Sequence, residues 1–270
     1  MASITGAITE FRQLDLLANG DTSVHRIDAR AKVLVTLAFI LAVVSFGKYE
    51  LAALFPFFLY PAVIMALGNL PVRHIAGKIL VVLPFALMVG MFNPLFDQTV
   101  LIRFGPLGVS GGWLSLASIL VRATLTVGAA LILVAVTGFP AICHALDQLG
   151  MPRIFTVQLL FLHRYLFVLI EEGGRTARAR ELRAFGKKGL GWRSYGSLLS
   201  QLLLRTWLRA ERIHLAMLAR GFTGEFHPRR TTRFGTRDFL FLAGWSGLFL
   251  FFRLVNVSQL LGTIVTGGRG

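Results

Sequence analysis

Arginines carry the chemistry that stands out in this chain. Arg205, Arg209, Arg212 and Arg220 recur at a spacing that puts all four within about 80° of arc on a helix. A guanidinium is a planar, permanently charged fork of donors, suited to carboxylates, phosphates and carbonyls. Arg220 lies in Ala219-Arg220-Gly221. There a small residue lets a partner surface come close, the arginine donates, and glycine ends the helix so that the fork projects. A similar helix end, Leu182-Arg183-Ala184, stands 37 residues upstream. This is equipment for docking, not for making bonds.

Other chemistries fail on inspection. Gly77-Lys78 is followed by Ile79, so no phosphate-cradling loop is formed. His25, His74, His144, His163, His214 and His227 show no i,i+3 or i,i+4 pairing, and no metal site is expected. The single cysteine, Cys143, excludes a disulfide framework. Gly108-Val109-Ser110-Gly111-Gly112 matches a nucleophile-elbow pattern but is expected to be a glycine-rich turn. His144 with Asp147 is the one acid–base pair that a membrane-embedded lipid enzyme could use, and Asn256-Val257-Ser258 is a sequon by pattern alone. No catalytic residue is assigned.

The elements that position these arginines belong to a membrane protein. Of 270 residues, 55% are apolar and only 15% charged, with mean hydropathy +0.68. Crossing a bilayer takes roughly 20 helical residues, and apolar runs at 31–47, 50–68, 77–96, 113–137 and 237–257 qualify. The run 154–170 is a sixth candidate. His163-Arg164 at its centre argues instead for the partly embedded start of a longer helix. The fold class is therefore all-α, a polytopic membrane protein of about five transmembrane helices with a helical cytoplasmic part. The first 23 residues lack the pattern of a cleaved leader, so the amino end is expected to be mature and cytoplasmic.

Charge sets the orientation. Residues 138–236 hold 16 Lys and Arg against 6 Asp and Glu, a net +10 of the chain's +15. By the positive-inside rule this block is cytoplasmic. Loop 47–50 and the near-neutral loop 97–112 then lie outside, and basic loop 69–78 inside. The division is 1–137, an amino-terminal segment with four spans; 138–236, a basic coupling domain; and 237–270, a last span and tail. Such a basic chain could bind nucleic acid, but its long apolar runs exclude that reading. Within the block, a short helix runs from Pro140 to Gly150. A second runs from Arg153 to Ala184 with a bend at Gly173-Gly174, and a third from Trp192 to Arg220, stopped by Gly221. On the third helix Leu204, Leu208, Leu215 and Leu218 form a greasy arc beside the arginines, expected to face the bilayer or a sister helix.

Two arginine-bearing helix ends on a cationic platform, in a membrane chain with no nucleotide loop, resemble the transmembrane coupling (T) component of energy-coupling-factor transporters, most closely its cobalt/nickel branch. The likeness extends over Val24-His25-Arg26-Ile27-Asp28-Ala29-Arg30-Ala31-Lys32, over His144 to Pro152, and most specifically over Glu211 to Phe222. The chain departs from the family in having Ala29 where proline is common, and in keeping only the arginine of the first signature. The resemblance implies a non-catalytic subunit of an ATP-driven importer in a prokaryotic inner membrane. It would dock two ABC-type ATPase subunits through Leu182, Arg183, Ala184, Ala219, Arg220 and Gly221, with Arg205, Arg209 and Arg212 as a supporting cationic stripe. A separate small membrane subunit would capture the substrate, cobalt or nickel; ATP would be bound by the partners and no cofactor by this chain. A self-contained ion permease is the alternative, for which Arg122 is the one charge deep in a candidate span.

Overall fold

The computed structural model describes residues 17–18, 20–96, 100–104, 107–183, 192–222 and 234–255. The chain divides into two compact units, one containing Phe139 to Phe222 and the other the described residues up to Gly138 together with those from Phe234 onward. Three helices among the described residues are long and apolar enough to cross a bilayer: Val72–Gly90, Gly111–Thr137 and Arg153–Ala179.

The first unit in chain order is a helical bundle. Helix α1 (Ala29–Val44) starts at Asp28, whose carboxylate accepts from the Arg30 N–H at 2.8 Å as an N-cap. The next apolar run is broken into α2 (Leu51–Leu54), a 3₁₀ turn (Phe55–Phe58) and α3 (Leu59–Leu67), because Pro56 and Pro61 each withhold an N–H. Asn69 at φ 48° closes α3, with Leu70 N–H reaching Met65 C=O. Helix α4 (Val72–Gly90) runs through Pro84, and short α5 (Asn93–Phe96) follows. The expected loop 97–112 instead holds an antiparallel hairpin, β1 (Val100–Phe104) and β2 (Leu107–Ser110), which runs directly into α6 (Gly111–Thr137). Gly108–Ser110 is thus strand, not turn. Its sheet has two antiparallel strands, not the parallel sheet a nucleophile elbow sits on. The last helix of the unit is α10 (Thr236–Leu254).

Side-chain contacts fix the helix directions. Helices α1 and α10 are parallel: Asp28 N–H donates to Asp238 Oδ1 at 2.8 Å, Phe39 meets Phe249 edge-on at 5.3 Å, and Arg253 donates to Ser45 C=O at 3.2 Å. The α2–α3 limb runs the other way, pairing Phe57 with Phe46 and Tyr60 with Phe39. Helix α6 also opposes α1. Arg122 donates to the Gly47 carbonyl at one end, while Val136 and Thr137 share a cavity of about 10 Å³ with Val24, Lys32 and Phe241 at the other. Helix α4 opposes α6, with Gly90 facing Leu116 and Gly128 facing Ile79. The core between them is aromatic: Phe39, Phe57, Tyr60 and Phe249 are all buried.

Helix α6 ends and α10 begins at the same end of this bundle, beside Asp28 and Val24. The run 154–170 falls within Arg153–Ala179, one of the helices long and apolar enough to cross a bilayer, with His163 and Arg164 inside it.

Among the described residues the second unit has three helices: α7 (Phe139–Gln148), α8 (Arg153–Arg183) and α9 (Trp192–Ala219). Helix α7 ends in a Schellman motif, with Gly150 at φ 105°, Met151 N–H on Leu146 C=O, and Gly150 N–H on Asp147 C=O. Helix α8 runs unbroken through Gly173-Gly174. At Gly173 an added Cβ would meet the Leu202 side chain at 3.9 Å, an ordinary van der Waals contact, so α9 lies against this part of α8. His163 stacks on Phe139 at 5.1 Å and meets Phe167 edge-on, which gives its ring an aromatic setting within the unit.

Candidate functional site

The carboxyl end of α9 is shaped by a second Schellman motif. Gly221 takes φ 80°, Phe222 N–H donates to Met217 C=O at 3.0 Å, and Gly221 N–H donates to Leu218 C=O at 3.0 Å. Only glycine takes that backbone conformation freely. Arg220 is the cap residue just before it, and its side chain is exposed. The stop expected from Ala219-Arg220-Gly221 is formed, and the motif's two cross-turn hydrogen bonds hold the arginine's backbone in place. At the other signature, Arg183 is the last residue of α8 and Leu182 is 83% exposed. The Arg183 side chain, Ala184 and the expected break at 185–191 lie outside the described residues.

The arginine stripe has a different setting. Arg205 pairs with Glu172 of α8 at 3.3 Å, and Glu172 also pairs with Arg175 at 3.2 Å. Together with Gly173 against Leu202, this sets α8 and α9 antiparallel. Between them lies an open groove of about 660 Å³, walled by Arg205, Arg209 and Arg212 and floored by apolar side chains including Leu166, Leu169 and Ile213. Arg212 Nε donates to its own helix at Leu208 C=O. Arg209 has no hydrogen bond or ion pair among the described residues. The greasy arc points away from the groove: Leu204, Leu208, Leu215 and Leu218 are each about half exposed or more. The sister helix therefore faces the arginines rather than the leucines. Glu172 is the residue that sequence reasoning missed here. Its partner lies 33 positions away, although Glu171-Glu172 is the only adjacent acidic pair in the basic block.

Other residues singled out in the sequence have structural settings. Arg122 is tied to the α1–α2 turn through Gly47. His144 and Asp147 are not joined by a hydrogen bond or ion pair. Cys143 is buried in α7, and burial pushes its thiol up to about 11, partly offset by a backbone hydrogen bond. Among the described residues no group of three His, Cys, Asp or Glu side chains converges. The stretch Val24 to Lys32 forms a clasp in the bundle: Asp238 Oδ1 takes the Asp28 N–H, Asp238 Oδ2 takes the Gly235 N–H, and buried Lys32 reaches the His25 carbonyl at 3.5 Å. The Asn256 sequon lies outside the described residues.

A family model described as cobalt transport protein, CbiQ, matches residues 20–233. The cobalt transport protein CbiQ of Salmonella typhimurium is 32% identical over 108 residues, 39% of this chain and 48% of that protein. An uncharacterized protein of Methanocaldococcus jannaschii is 24% identical over 228 residues, 81% of this chain and 77% of its own. With its polytopic helical bundle and a family match running through the whole arginine-bearing unit, the chain belongs to the CbiQ cobalt transport protein family.

Proposed function

We propose that this chain is the energy-coupling membrane subunit of an ATP-driven importer of the energy-coupling-factor type, acting on cobalt or nickel ions. The observation that carries the reading is Arg220, exposed at a helix end whose direction a glycine-stopped Schellman motif fixes. A chain without a phosphate loop of its own can draw on ATP only through a partner that has one. Two ABC-type ATPase subunits, each offering a carboxylate- or carbonyl-lined groove, fit Arg220 and Arg183. Leu182, Ala184, Ala219 and Gly221 shape the two contacts. A separate small membrane subunit captures the ion. When the ATPase pair closes on nucleotide, the two anchored helix ends are drawn together, and the α8–α9 hairpin passes that motion to the capture subunit. The basic unit and amino end face the cytoplasm of a prokaryotic cell, as the +10 charge of 138–236 favours. The chain itself performs no catalysis on this reading.

Truncating an arginine desolvated at such a contact costs about 2–5 kcal/mol of assembly free energy. Arg220→Ala is expected to release an ATPase subunit on purification, or to leave ATP hydrolysis running without uptake. Gly221→Ala, which strains the left-handed position by about 1 kcal/mol, should give a milder form of the same defect. Normal co-purification and normal uptake in Arg220→Ala would reject the assignment.

A further inference from the structure

We propose that the groove between α8 and α9 is a binding site for one anionic phospholipid, its phosphate held by Arg209 and Arg212 and its acyl chains lying along the apolar floor. The groove's volume of about 660 Å³ is within the range of small-molecule sites. Its two walls differ in kind. The α8 side comes from the membrane-grade stretch of the chain, including Leu162 and Leu166, whereas the α9 side carries the arginines. The antiparallel register set by Glu172–Arg205 brings Arg209 and Arg212 alongside Val168 and Tyr165, in the apolar part of α8. Exposed guanidiniums beside an apolar floor suit an anion that carries apolar chains. The one carboxylate in the groove, Glu172, is already shared by Arg175 and Arg205. Arg209 has no partner among the described residues, and the guanidinium of Arg212 touches only a backbone carbonyl.

A ligand suited to both walls combines an anion with long apolar chains, which describes a phospholipid. Basic pockets beside membrane helices on the cytoplasmic side recognise such headgroups. With two unmatched arginines and no spare carboxylate for a headgroup amine, a net-negative lipid is favoured over a zwitterionic one. This inference is independent of ATPase docking at Arg220 and can fail without it.

The test uses the full chain in mild detergent, titrated with dioleoyl-phosphatidylglycerol or dioleoyl-phosphatidylcholine and read by native mass spectrometry. The wild type should bind one phosphatidylglycerol in preference to phosphatidylcholine. The Arg209→Ala/Arg212→Ala double variant should bind it about thirtyfold more weakly, at about 1 kcal/mol per arginine. Its melting temperature in phosphatidylcholine should match the wild type, because both side chains are exposed. Ala216→Trp, which fills the floor without changing charge, should also expel the lipid, while Arg73→Ala should not. Equal binding of the two lipids by the wild type, or undiminished phosphatidylglycerol binding in both groove variants, would overturn the proposal. So would a cysteine at Ile213 that cross-links to a partner polypeptide in the assembled transporter while no anionic lipid co-purifies, since the occupant would then be a protein helix.

Discussion

Asp238→Ala removes the carboxylate that joins the start of α10 to the start of α1. Asp238 is 7% exposed, and its two oxygens accept from Asp28 N–H and Gly235 N–H, both at 2.8 Å. Hydrogen bonds to a charged group contribute about 1.5–3 kcal/mol each, and a donor left buried costs its desolvation as well. The Asp28 N–H is enclosed and bears the full loss, whereas water can reach Gly235 and recover part of its share. The sum is about 3–4 kcal/mol. Asp238→Asn keeps one acceptor oxygen and should lose about half as much. For a chain of this size about 3 kcal/mol corresponds to roughly 10 °C in melting temperature, measured in detergent by loss of the monodisperse size-exclusion peak on heating. If Asp238→Ala melts within about 1 °C of the wild type, the clasp does not hold the two helices together and the packing argument is wrong.

Two further outcomes follow from the geometry. The Cys143 thiol, raised from 9.0 to about 11 by burial, is neutral at physiological pH and should react with maleimide only slowly until the protein unfolds. Because its folded value lies above the unfolded one, its contribution to stability is present below about pH 9 and is lost as pH rises towards 11. In a Cys143→Ala background, cysteines at Asn69, Asp147 and Gln201 should all be labelled by an impermeant maleimide from one side, and one at Lys48 from the other. Labelling at Gln201 from the Lys48 side would mean that α8 crosses the membrane.

What could be read from the sequence was whatever local chemistry decides. Apolar runs marked the long membrane-grade helices Val72–Gly90 and Gly111–Thr137, and Gly150 and Gly221 marked helix stops, because a left-handed cap is nearly a property of glycine itself. The wheel of α9 correctly grouped Arg205, Arg209 and Arg212 on one face, but periodicity alone does not say what a face looks at. That was decided by Glu172 and Gly173, on another helix. The Asp28–Asp238 clasp joins residues 210 positions apart, which no window reaches. The β1–β2 hairpin left a local trace that was passed over: β-branched and aromatic residues at Val100, Ile102, Phe104 and Val109 around Gly105-Pro106. The breaks between α2 and α3 were likewise written in Pro56 and Pro61, within a run whose hydropathy looked continuous.

The proposed role divides labour: this chain links fuel consumption to cargo movement and carries out neither. Reconstitution in liposomes measures that directly. The purified chain alone should show no radiolabelled cobalt or nickel uptake and no ATP hydrolysis, and uptake should appear only when ATPase and capture subunits are added with nucleotide. Ion flux or nucleotide turnover by the chain on its own would contradict the account.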